Sequence, residues 1–167
     1  FTVADNLVLT DYYRAPYATG IVRNDEAIVE RGKRAIEEYD IRTPSATVSA
    51  GTLSGGNQQK LVVARELDGD LRLLILDQPT RGLDVGSIEF IHKQAIAKRD
   101  AGTAVLLVSA ELDEVLELSD RIAVMYRGLI VDVVDGRTAD RNEIGMLMAT
   151  GMRQEAAVAS GAAEIPA

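Results

Sequence analysis

Leu53-Ser54-Gly55-Gly56-Asn57-Gln58-Gln59-Lys60, followed by Leu73-Leu74-Ile75-Leu76-Asp77-Gln78-Pro79-Thr80, decides how this chain is read. The first stretch places a hydroxyl and a glycine pair at the start of a helix predicted over residues 56–67, in which Leu61, Val62, Val63 and Ala64 cover most of the circumference and are expected to be well buried. Glycines let the backbone come close to a ligand, and the unpaired N–H groups and the dipole at a helix start favour an anion. Ser54 adds a hydroxyl donor, so the run is a candidate reader of a terminal phosphate. Taken alone, the same run equally suits a small-residue helix cap. The second stretch reads as a buried strand over residues 71–77 that ends in a carboxylate. A carboxylate at the C-terminal edge of such a strand commonly holds Mg2+ beside phosphates, which makes Asp77 the candidate metal ligand. A turn or helix cap is its plainer role. Directly after it comes Gln78, a neutral amide where a catalytic acid is expected.

Working outward, Gly82-Leu83-Asp84 forms a turn, and Asp84 suits the cap of a helix over residues 85–100. Gly102 stops that helix, and residues 103–109 form the next strand. A helix over 111–118 precedes strands over 121–126 and 129–134, joined at Arg127-Gly128, where a glycine accepts a positive φ. Asp140 and Glu143 make a capping-box-like start to a last helix that ends near Thr150 and Gly151. Upstream, residues 1–13 carry Val3, Leu7 and Val8 on one side of a short amphipathic helix, and residues 14–23 read as a loop. A helix capped at Asn24 or Asp25 runs to Tyr39. Its apolar face is Ile28, Ala35, Ile36 and Tyr39, with Glu26, Glu30, Arg31, Arg34 and Glu37 in water. Residues 40–52 form a polar loop, and 156–167 a disordered tail of mostly Ala, Gly and Ser. Helices first, then strands alternating with helices, indicate α/β, with continuous apolar strands in a sheet covered on both faces.

Bulk properties narrow the function. The 167 residues fit one domain, and 47% hydrophobic content allows a sizeable core. A net charge of −8 argues against a nucleic-acid partner, which needs a basic footprint. No apolar run approaches the roughly 20 residues of a membrane span. Residues 1–20 lack the basic start and apolar centre of a signal peptide. The absence of cysteine and a single histidine, His92, argue against a metal cluster. The chain opens on Phe1 in mid-pattern and reads as a fragment of a longer protein.

Residues 53–57, Leu73–Asp77 and the Gly82-Leu83-Asp84 turn, in that order and spacing, resemble the signature motif, Walker B and D-loop of the ATP-binding cassette (ABC) transporter family. Asn57 stands where glutamine is commoner in the family. The resemblance covers residue 1 to about 150. Leu-Ser-Gly-Gly-Asn-Gln-Gln-Lys, Pro-Thr-Arg-Gly-Leu-Asp-Val-Gly and Ser-Ala-Glu-Leu-Asp-Glu-Val together are similar to the second half of the tandem ATPases of bacterial carbohydrate and nucleoside importers. Gln78-Pro79-Thr80-Arg81-Gly82-Leu83-Asp84 leans towards the nucleoside branch.

The resemblance implies an α/β fold: the C-terminal part of a P-loop NTPase domain, with a helical subdomain followed by a mainly parallel sheet with flanking helices. It divides the chain into a helical signature subdomain over 1–66, a core portion carrying Walker B and the D-loop over 67–150, and a flexible tail over 151–167. It implies ATP and Mg2+ as cofactors. Ser54, Gly55, Gly56, Asn57, Gln58 and Asp84 fall on the nucleotide side and Asp77 on the metal side. The implied partners are a second ABC ATPase half, membrane permease subunits and, indirectly, a periplasmic or lipoprotein substrate-binding protein, at the cytoplasmic face of the membrane.

Two departures bear on catalysis. Gln78 occupies the family's usual glutamate position, and an amide cannot take a proton from water, a step worth on the order of 10²–10⁴-fold. It can still orient a water. Ala110 stands where many members carry a switch histidine. No Gly-x-x-x-x-Gly-Lys-Ser/Thr run is present, so by resemblance the P-loop precedes Phe1 and the fragment alone is expected to be inactive. In the family each ATP lies between one half's P-loop and the other's signature. The expectation is a degenerate Asp77-Gln78 site beside an intact Ser54-Gly55-Gly56 half-site acting in trans. The rival readings are a non-catalytic dimerisation or regulatory module and a soluble ABC ATPase outside transport.

Overall fold

The computed structural model describes residues 1–153, and the tail reading over 156–167 lies outside the described residues. The chain divides into two compact units, residues 1–74 with 79–105 and residues 75–78 with the chain from 106 onward.

In the first unit, α1 (Val3–Leu7) opens on a capping box: the Thr2 hydroxyl accepts from Asp5 N–H and the Asp5 carboxylate accepts from Thr2 N–H. The N–H groups of Val3 and Ala4 donate to the carbonyls of Val48 and Ala46, so the later loop closes this helix start. Residues 14–23, expected as a loop, contain a two-residue hairpin, β1 (Ala18–Thr19) with β2 (Val22–Arg23). Helix α2 (Asp25–Glu38) is capped by Asn24, whose side chain accepts from Ala27 N–H. Ala4, Val8, Ile28 and Ala46 form the apolar centre here. A short 3₁₀ turn at Ala50–Thr52 leads into α3 (Gly55–Glu66).

Two expectations for these helices are corrected. Arg31, read as solvated, is buried: its guanidinium pairs with Asp68 at 2.9 Å and reaches the Ala64 carbonyl at 3.5 Å. A buried guanidinium persists because both groups satisfy it. Of the Leu61–Ala64 run, Leu61, Val63 and Ala64 are buried but Val62 is exposed, since four successive residues encircle a helix and only part of α3 is covered.

Strand β3 (Leu73–Asp77), α4 (Val85–Asp100) and β4 (Ala104–Val108) follow. Ala104 N–H donates to Arg72 O and Gln78 N–H to Val108 O, so the two strands ascend together and are parallel. The expectation of strands buried on both faces fails. Leu74 is buried, but Leu73, Ile75 and Leu106 are more than half exposed, and Val108 is nearly so. Among the described residues β3 and β4 hydrogen-bond only to each other, so the apolar pattern outruns its cover.

In the second unit, α5 (Leu112–Leu118) precedes an antiparallel hairpin of β5 (Arg121–Tyr126) and β6 (Leu129–Asp135). Arg127 and Gly128 both have positive φ, 47° and 82°, the pair a tight hairpin turn requires. Ile122 and Val124 on alternate β5 positions pack against Ile144 and Leu147 of α6 (Arg141–Thr150). Asp140 caps α6 by accepting from the N–H groups of Asn142 and Glu143. No helix among the described residues is long and apolar enough to cross a membrane.

Candidate functional site

The start of α3 is unusual for what Ser54 does not do. A serine at this position normally accepts from a first-turn N–H, but Ser54 makes no side-chain cap hydrogen bond. Instead the Asn57 side-chain Nδ2 donates to Ser54 Oγ at 2.9 Å, and Asn57 Oδ1 accepts the Arg42 N–H at 2.7 Å. The first-turn N–H groups therefore keep no serine acceptor, and Ser54 and Gly55 are exposed. Gln58 turns its Nε2 back onto the Leu53 carbonyl at 3.0 Å.

The two glycines differ. A Cβ on Gly55 would meet nothing within 4 Å, which leaves its side open to an approaching group. A Cβ on Gly56 would lie 2.4 Å from Ser87 Oγ and 3.1 Å from Asp84 Oδ2. Gly56 is thus required where α3 packs on the start of α4. Asp84 caps α4: Oδ1 accepts Ser87 N–H at 2.9 Å and Oδ2 accepts Ser87 Oγ at 3.0 Å. The Ser87 N–H first, then its hydroxyl, hold the Asp84 carboxyl below its ordinary range.

Behind the motif, Lys60 is buried and its Nζ lies 2.8 Å from both the backbone oxygen and the carboxylate of Asp40. It also sits 4.9 Å from the Phe90 ring centre, a cation–π contact. Asp40 is left-handed, φ 46°, and the Lys60 ammonium lowers its carboxyl pKa through their hydrogen bond. Gln59 Nε2 donates to the Pro79 carbonyl at 3.2 Å. Lys60, Asp40, Arg42 and Ser87 escaped the sequence reading. One signal was available: Lys60 shares an α3 face with Ala64 and Leu67, and a lysine on an apolar face needs a counter-charge.

In the second unit, Asp77 ends β3 with an exposed side chain. Gln78 follows in a left-handed conformation, φ 48°, which costs a non-glycine residue on the order of 1 kcal/mol. Its N–H is fixed to Val108 O at 2.8 Å, and its Oε1 accepts Ala110 N–H at 3.4 Å. Gln78 and Ala110, the two departures expected from the sequence, are therefore neighbours. His92 lies in α4, away from both positions in sequence.

The fold is that of ATP-binding cassettes. An ATP-binding subunit of an ABC transporter superposes with a TM-score of 0.67 at 17% identity, covering 90% of this chain and 63% of that one. A cassette solved as a dimer bound to ADP and phosphate gives 0.66 at 22% identity, covering 83% and 58%. In sequence, the ABC transporter family pattern matches residues 1–81. Guanosine import ATP-binding protein NupO of Bacillus subtilis (strain 168) is 48% identical over 162 residues, 96% of this chain and 32% of that protein. Nucleoside import ATP-binding protein NupA of Lactococcus lactis is 49% identical over 150 residues, 90% of this chain and 30% of that protein. A ribose import ATP-binding protein, RbsA of Lacticaseibacillus paracasei, is 40% identical over 155 residues, 90% of this chain and 30% of that protein. The chain belongs to the ABC transporter ATP-binding family, and it spans about a third of the length of these curated relatives. All three of these relatives are named as ATP-binding proteins.

Proposed function

We propose that this chain is the signature-bearing part of an ATPase that drives nucleoside uptake, with sugar import as the related branch. Import proteins at 48% and 49% identity favour the nucleoside reading over ribose at 40%. Residues 1–66 act as the helical signature subdomain and 67–150 as the core portion. The start of α3 receives the terminal phosphate of an ATP held on the P-loop of a partner ATPase half. The uncapped first turn beside the open Gly55 carries this reading, because it leaves donors facing a route of approach.

Asp77 is the residue that would hold Mg2+. Among the described residues no cluster of three or more His, Cys, Asp or Glu could hold a metal. A single exposed carboxylate nevertheless suits Mg2+, which keeps several waters and takes its other ligands from phosphates. Gln78 offers an amide whose oxygen already faces Ala110 N–H, so it is poorly placed to take a proton from water. The Asp77-Gln78 site is slow, and turnover comes from the site that Ser54 completes. The working assembly is peripheral at the cytoplasmic membrane face, with permease subunits and, through them, a substrate-binding protein.

In the full-length protein Ser54→Arg should abolish ATP turnover without unfolding, since Ser54 is exposed, while Gln78→Ala should cost little. A large loss from Gln78→Ala would overturn the asymmetric reading.

A further inference from the structure

We infer that Asn57 is a positioning residue that sets the direction of the Ser54 hydroxyl proton. A backbone N–H can only donate, so the Asn57 atom 2.7 Å from Arg42 N is its carbonyl oxygen. That fixes the carboxamide, and its NH2 group faces Ser54 Oγ at 2.9 Å. Ser54 Oγ is thereby an acceptor on its Asn57 side, and its own proton turns away from Asn57. A hydroxyl so polarised is prepared to donate to an anion without first breaking a bond to the protein. Asn57 Oδ1 and one of its two Nδ2 protons are engaged within the chain, and the bond to Ser54 is the route by which it acts on the site.

The support extends one step further back. Lys60 holds both the backbone and the carboxylate of Asp40 at 2.8 Å, fixing the left-handed turn that brings Arg42 N–H to Asn57. The line from Lys60 through Asp40, Arg42 and Asn57 to Ser54 lies entirely within the first unit.

This inference rests on the reading of Ser54 as a phosphate ligand in trans, and the test separates the two. Steady-state ATP turnover is measured on the full-length protein for Asn57→Leu, Asn57→Asp, Ser54→Ala and the Asn57→Leu/Ser54→Ala double variant, with thermal unfolding as a folding check. Asn57→Leu should lower kcat about tenfold or more, with KM for ATP within about twofold, since a donor to a charged group is lost from alignment. The double variant should be no worse than the poorer single one. Asn57→Asp keeps the acceptor for Arg42 N–H but presents an acceptor to Ser54, so its hydroxyl proton turns inward. Its kcat should fall at neutral pH and recover towards native as pH drops and the new carboxyl becomes a donor; a purely structural role for Asn57 predicts no such pH dependence. Undiminished kcat in Asn57→Leu, or losses that multiply in the double variant, overturns the inference alone. An inert Ser54→Ala overturns the phosphate reading and the inference with it.

Discussion

Gly56 and Ser87 stand so close that a single methyl on the former would lie 2.4 Å from the hydroxyl of the latter. The glycine pair of α3 thus combines two unrelated requirements. Gly56→Ala should destabilise the protein by about 1–3 kcal/mol through overpacking, and Ser87→Ala should restore part of that. Gly55→Ala meets no neighbour and should leave stability unchanged while lowering turnover by narrowing the phosphate approach. Unfolding midpoints and ATPase rates of the three variants check this; equal destabilisation by both glycine changes would refute the division of roles.

The Asp84 cap should appear in acid. Its carboxyl is held below the ordinary range, chiefly by the Ser87 N–H. A depressed folded pKa means the stabilisation is complete above the unfolded value of about 3.9 and disappears as pH falls through the lower folded one. Asp84→Asn keeps a competent cap but cannot titrate there. Its unfolding midpoint should fall less than that of the native protein between about pH 5 and pH 2. Parallel acid profiles would contradict this.

Gln78→Glu should restore proton transfer at the Asp77 site. A carboxylate keeps an acceptor for Ala110 N–H, so the local geometry tolerates the exchange. In a full-length protein whose other site is inactivated, single-turnover hydrolysis should rise by about 10²-fold or more. Ala110→His alone should do much less, because it supplies no base at the strand end. No gain from Gln78→Glu would mean that the amide is not what limits this site.

Removing the counter-charge of Arg31 should be costly. Asp68 is half exposed, yet its partner guanidinium is buried. Asp68→Ala should destabilise by about 1–3 kcal/mol by leaving that charge less satisfied. Arg31→Met, which removes charge and demand together, should cost less than Asp68→Ala. Denaturant unfolding of both variants decides it.

What the sequence made legible was whatever a few neighbouring residues determine. The limits of α4 follow from Asp84 and Gly102, the β5–β6 turn from Arg127-Gly128, and the start of α6 from Asp140. The motif residues were likewise proposed from local pattern. The partners that bind them were not. Arg31 meets Asp68, Asn57 meets Arg42 and Gly56 meets Ser87 across loops, and no periodicity announces such pairings. Strand burial was overestimated for a related reason: composition encodes the cover a strand can accept, and Leu73 and Ile75 remain exposed.

Ser54 leaves the first turn of α3 without its usual side-chain acceptor, forgoing about 1 kcal/mol of helix stabilisation. An anion arriving there supplies acceptors that the fold withholds. Occupancy and local order at this helix start are then thermodynamically linked, each favouring the other. On the proposed reading, the amides of Gly55, Gly56 and Asn57 should report occupancy: fast to exchange with solvent when the half-sites are apart, and slow once a nucleotide is enclosed.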